Sequence, residues 1–164
     1  MPATKTPSKP APKDAIQWLM ADHRAVKSLF KQYDKLVKKP EAAEQKQELA
    51  QQICAMLGVH TTVEEELFYP AARAVLGKDE ALVDEAAVEH ASAKDLIRQI
   101  EDASPDDPMF DARVKVLGEY IDHHVKEEET EMFPKVRKTE LDLRGLGAEM
   151  AERKAELTPE AVPA

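Results

Sequence analysis

Twice in this chain a histidine stands four residues before a glutamate, with a second glutamate next and a proline ten residues past the histidine. The two stretches read HTTVEEELFYP over 60–70 and HVKEEETEMFP over 124–134. Side chains four apart share one face of a helix, so His60 lies beside Glu64 and His124 beside Glu128. Both pairs fall inside hydrophobic stripes of helical spacing: Leu49, Ile53, Met56, His60, Glu64 (beside Val63) and Leu67, then Val114, Leu117, Ile121, His124, Glu128 and Met132. Two more stripes carry a histidine each: Ile16, Leu19, His23, Val26, Phe30, Tyr33 and Val37, and Val83, Ala86, His90, Ala93, Ile97 and Ile100. A chain that repeats this pattern four times is pressed toward one architecture.

The punctuation agrees. Asp14 is placed to cap a helix from Ala15, Pro40 closes the first segment, and Pro70 is expected to stop or kink the second. Gly77 and the SPDDP run over 104–108 break the rest. With 5 glycines and 5% aromatics, sheet is disfavoured. The expected fold is all-α, an antiparallel up-and-down four-helix bundle over 14–137 with an additional C-terminal helix over 138–158. That last stripe, Leu143, Leu146, Met150 and Leu157, is interrupted by Gly145 and Gly147. Residues 1–13 read as a disordered arm and 159–164 as a frayed tail.

The chain also repeats itself. ADHRAVKSLFKQ around His23 matches VEHASAKDLIRQ around His90 at an offset of 67, while the two HxxxE units are 64 apart. Each copy has an acid before its histidine and a lysine four after it. Two helix hairpins related by a pseudo-two-fold therefore face each other with equivalent side chains.

Two carboxylates facing four imidazoles inside a bundle are costly to bury unless paired or bound to metal. Imidazole and carboxylate together suit Fe, Mn or Zn. Six groups shared between two ions give about three each, with Glu64 and Glu128 free to bridge ions about 3.5–4 Å apart. An unfilled coordination position would then take a diatomic or peroxide. Around the six, Lys27 and Lys94 stand four residues after a histidine, and Tyr69, Tyr120 and Glu127 are candidates for extra ligands, radical sites or groups that support the ligands from outside. Both lysines are expected to be solvated and to flank the stripe; the alternative is that Lys94 points its ammonium at the open metal position and donates a hydrogen bond to bound peroxide. His123, turned about 100° from His124, is expected to face solvent or sit outside the ligand set.

Several classes are disfavoured. The net charge of -9 without a basic cluster speaks against nucleic acid or anionic membrane as partner. There is no apolar run of about 18 residues to span a membrane and no apolar signal segment at the start. The lone Cys54 cannot form an internal disulfide and reads as a buried thiol, so a cytoplasmic setting is expected. Ferritin-like di-iron sites use a glutamate three residues before a histidine, and none of the five histidines here has one.

The ordered set H…HxxxE…H…HxxxE, with its paired glutamates and hydrophobic-hydrophobic-proline endings, resembles the hemerythrin-like, HHE cation-binding domains over about 14–137. The resemblance implies His23, His60, Glu64, His90, His124 and Glu128 as ligands of a non-haem di-iron centre, oxo- or hydroxo-bridged, that binds O2, NO or H2O2. Oxygen-carrying hemerythrins have HxxxH on the third helix, whereas His90 is followed at that spacing by Lys94. They also end in an aspartate five residues after the last histidine, where this chain has Glu128 four after His124. It is thus more similar to the bacterial six-ligand subgroup, in which peroxide, nitric oxide or iron handling is implied. A module that senses iron or oxygen without turnover is the alternative, and the sequence names no catalytic residue or protein partner.

Overall fold

The computed structural model describes residues 13–158. The tail over 159–164 and all of the expected arm but Lys13 lie outside the described residues. Helix α1 spans Ala15–Leu36 and opens on a capping box in which Asp14 and Gln17 exchange side-chain-to-backbone hydrogen bonds. A 3-10 turn at Pro40–Ala42 leads into α2, Ala43–Val63, followed by α3, Tyr69–Leu76. Gly77, at φ +54°, lets the chain reverse into α4, Ala81–Asp102. Helix α5 spans Phe110–Glu127, α6 Phe133–Arg137 and α7 Leu143–Leu157. Among the described residues there is no strand. The chain is an all-α bundle, α1 packing chiefly on α2 and α4 on α5. Among the described residues no helix is long and apolar enough to cross a membrane.

Neither Pro70 nor Pro134 ends its helix. Each follows a five-residue π turn, Glu64–Phe68 and Glu128–Met132, in which the N–H of Tyr69 or Phe133 reaches back to the carbonyl of Glu64 or Glu128. The extra residue widens the turn, and the proline falls in the first turn of the next α segment, where its missing N–H costs nothing. The rod therefore runs on into α3 or α6. The insertion also rotates the inward face, so that beyond Glu64 the buried residues are Phe68 and Tyr69, and the expected Leu67 is only half-buried.

The α2 face differs in detail as well. Ala50, Ile53, Cys54 and Leu57 are buried there, while Leu49 and Met56 are only partly covered. Two apolar clusters result. One gathers Ile16, Leu19, Phe68, Tyr69, Phe133 and Met150, and the other Val26, Tyr33, Ile53, Leu117 and Phe110. The buried histidines and glutamates belong to neither cluster.

Helix α7 packs on α1, α2 and the first π turn. Gly147 makes the crossing with α1 possible: a Cβ there would stand 2.8 Å from each of Ala15 N, Asp14 C and Lys13 O. These are backbone atoms with little room to yield. We expect Gly147→Ala to cost about 1–3 kcal/mol, the usual penalty of overpacking. At about 2–4 °C per kcal/mol for a chain of this size, a thermal melt should show the loss plainly. The glycines that interrupt the α7 stripe are thus not signs of a poorly formed helix.

Candidate metal centre

His23 comes from α1, His60 from α2, His90 from α4 and His124 from α5, and Glu64 and Glu128 open the two π turns. All six side chains are buried, Glu64 completely. They form two groups that could each hold an ion: His23, His60, Glu64 and Glu128, then Glu64, His90, His124 and Glu128. Within each group the ligand atoms all lie within 4.8 Å of one another. The two glutamates belong to both.

Across this cage His23 Nε2 is 3.3 Å from Glu128 Oε2, His124 Nε2 2.9 Å from Glu128 Oε1, and His90 Nε2 3.4 Å from Glu64 Oε2. His60 Nε2 abuts Glu64 Oε1, and the Nε2 atoms of His90 and His124 are 3.2 Å apart. Both oxygens of Glu64, Oε2 of Glu128 and Nε2 of His23 and His60 are buried without a hydrogen-bond partner. Buried polar atoms are almost always paired. Lone-pair atoms converging on a common point are what a cation requires, so the donor set fits a transition metal.

A ring of carboxylates holds the outer edges of the imidazoles. His60 Nδ1 is 3.0 Å from Asp22 Oδ2 and His23 Nδ1 is 3.1 Å from Glu129 Oε1, both hydrogen-bond distances. Glu89 lies 3.6 Å from His124 Nδ1 and Glu65 3.9 Å from His90 Nδ1, beyond direct hydrogen bonding. A carboxylate at Nδ1 accepts a hydrogen bond from the ring N–H there and so presents Nε2 inward as a lone pair. Sequence reasoning did not name these four acids as functional, yet the repeat marked them. Asp22 and Glu89 are the acids before His23 and His90, and Glu65 and Glu129 follow Glu64 and Glu128. Each lies against a histidine on another helix, Asp22 and Glu129 at hydrogen-bond distance.

Electrostatics shows how the cage is neutralised. Burial works against charge on His60, but Glu64 and Asp22 outweigh it and push its pKa up to about 10. Burial is likewise overcome at His124 by Glu128 and Glu64, which raise it to about 9. Burial alone would raise Glu64; His60 and His90 hold it well below the usual carboxylate range. Imidazoles raised beside a depressed carboxylate make the interior less hostile to its own charges than six polar groups suggest. Protons and metal ions compete for the same atoms.

The remaining candidates separate. Tyr69 is buried, its hydroxyl 3.1 Å from His90 Nε2, 3.3 Å from His124 Nε2 and hydrogen-bonded to Glu128 Oε1. Burial, with Glu64 and Glu128 nearby, raises its pKa well above the ordinary value. Lys94 flanks the stripe and does not take the alternative, peroxide-facing course: its Nζ is 2.6 Å from Glu65 Oε2 and its side chain is 45% exposed. Lys27 is exposed on α1. Glu127 lies outward, 3.1 Å from His123, and Tyr120 stands half-exposed at the rim of a cavity. That cavity, about 20 Å³, adjoins the histidines and is walled by Val26, Leu57, Ala93 and Ile121. Helix α7 reaches the ring of acids, since Lys154 Nζ is 2.6 Å from Asp22 Oδ1 and Arg153 pairs with Glu66 in the first π turn.

Comparisons with known proteins were consistent with this arrangement. The family model of the hemerythrin HHE cation binding domain matches residues 14–136. A solved structure of a hemerythrin HHE cation binding domain-containing protein from Mycobacterium kansasii superposes with a TM-score of 0.72. It is 24% identical over 88% of this chain and 87% of that one, which speaks to the fold. A curated protein of Nostoc sp. (strain PCC 7120) named DNA nickase is 32% identical over 116 residues. The match takes in 71% of this chain but only 31% of that protein.

Proposed function

Because the chain belongs to the hemerythrin HHE cation-binding domain family, we propose that it holds two iron ions in the cage and handles a small oxygen or nitrogen species beside them. His23 and His60 would hold one ion and His90 and His124 the other, with Glu64 and Glu128 available to both. The observation that supports this most strongly is the pair of four-residue groups with two glutamates in common. Mn or Zn suits the same donors. Bound there, iron would supply reversible one-electron chemistry toward O2, NO or peroxide.

The protein's own residues set the terms. Asp22 and Glu129 fix the His60 and His23 rings by accepting hydrogen bonds from their Nδ1–H groups. The apolar walls of the adjoining cavity favour a small uncharged molecule over an ion or a larger substrate. Tyr69 keeps its proton at neutral pH and places a hydroxyl where it can donate into the cage or join the donor set. The two apolar clusters exclude bulk water from either side.

The net charge of -9 favours a partner other than nucleic acid, and the nickase activity belongs to a protein of which this chain matches a minor part. One observation favours a second reading, an iron- or oxygen-sensing module without turnover: the contact from Lys154 through Asp22 to His60 ties α7 to the centre.

The test is anaerobic loading with ferrous salt, elemental analysis, and spectrophotometric titration with O2, NO and H2O2. About two irons per chain and a saturable spectral change with at least one of the three are expected. A spectrum indifferent to all three would leave a metal protein and remove the small-molecule role.

A further inference from the structure

We propose that Glu89, His123 and Glu127 form a third cation site, on the outer face of α4 and α5, that takes a divalent transition metal such as Zn2+, Mn2+ or Fe2+. It shares none of the six inner residues, though Glu89 also faces His124. One ligand atom from each of the three lies within 4.8 Å of the others. His123 and Glu127 repeat the four-residue spacing of His124 and Glu128 one position out of step, on the outward side. His123 Nε2 is 3.1 Å from Glu127 Oε1 and 4.0 Å from Glu89 Oε2. His123 thus reaches Glu127 directly but not Glu89, a gap an ion between the three would close.

Glu89 supplies the reason a cation belongs there. Its Oε1 faces His124 Nδ1 at 3.6 Å, while its Oε2 is buried and has no hydrogen-bond partner. Its counterpart in the other hairpin is Asp22, which serves His60 through one oxygen and meets the Lys154 ammonium at 2.6 Å through the other. Among the described residues no lysine or arginine pairs with Glu89; its ion pairs are with His123 and His124.

The duplication is broken at the matching place. Sixty-four residues before His123 and Glu127 stand Val59 and Val63, which pack in the apolar cluster that α7 completes with Leu146 and Met150. One hairpin therefore has an apolar cover and an ammonium for its outer carboxylate. The other has neither, and carries a histidine and a glutamate where the valines were. His123, 66% exposed, opens the group to ions from solvent. One imidazole and two carboxylates with room for water match a labile divalent ion.

Calorimetric titration of the full chain with Zn2+ tests this, comparing wild type with His123→Ala and Glu127→Gln. Removing an outer partner of a metal ligand already costs about 10–100-fold in affinity, so losing a ligand should weaken one binding step by about tenfold or more. That step should be weakened in both variants, with every other step and the melting temperature unchanged. An isotherm for His123→Ala that superimposes on wild type overturns the proposal, as does a wild type whose every step is lost in Glu64→Gln. Failure of the inner-cage reading would show instead as the absence of the steps that Glu64→Gln removes.

Discussion

Withdrawing metal from the loaded protein with a chelator lowers its melting temperature by about 8–16 °C per site. A ligand that binds only the folded chain stabilises it by about 4 kcal/mol at a thousandfold excess over its dissociation constant, and a chain of this size loses about 2–4 °C per kcal/mol. The pH dependence has a definite sign. In the metal-free protein His60 and His124 are raised to about 10 and 9 from an ordinary 6.5. Their proton-bound ion pairs stabilise the metal-free fold fully below about pH 6.5, and that contribution is lost as pH rises through 9 to 10. Metal must displace those protons. The gap between loaded and stripped protein therefore widens from pH 6 toward pH 9, and calorimetry in buffers of different ionisation enthalpy detects the released protons. Identical melts with chelator and with ferrous salt at pH 8 would refute the cage as a metal site.

Much of this arrangement was legible because helix geometry converts spacing into direction. A histidine and glutamate four apart must share a face, and four stripes with one histidine each must meet if the stripes form a core. The six residues do converge in one buried cluster. What the spacing could not carry was the effect of one inserted residue. Pro70 looked like a stop or a kink; it and Pro134 follow π turns that begin on Glu64 and Glu128 themselves. The signal was present, since a proline at the same distance in both copies is a constraint on the turn before it. The buried face of α2 was blurred because Ala50 and Cys54 offer little hydrophobic contrast beside Leu49 and Met56. Lys94 could be placed near the centre by sequence but not aimed, because a long flexible side chain follows the nearest exposed carboxylate, here Glu65. The role of Gly147 could not be read at all without α1 lying against it.

Glu64→Gln should empty both positions of the cage, whereas His60→Gln should empty one. Glu64 keeps its shape in this substitution, is fully buried, and belongs to both four-residue groups. Each ion then loses a charged donor, and if each loss is at least the 10–100-fold typical of an outer partner, the pair weakens by about 100-fold or more together. His60 belongs to one group only, so the other keeps both of its histidines and both glutamates. In a His123→Ala background, which leaves only the two inner groups, elemental analysis after dialysis should return near zero metal for Glu64→Gln and Glu128→Gln, and about half the content of the parent for His60→Gln and His23→Gln. The metal-free variants carry a second signature. Glu64 is the leading charge that raises His60, so in Glu64→Gln that imidazole loses its proton at lower pH, and the stability carried by the proton fades earlier as pH rises. Retention of one tightly held ion in Glu64→Gln carrying also His123→Ala, which removes the outer group, would mean that the glutamates serve separate ions, and the shared-carboxylate reading would fail even if metal binding itself stood.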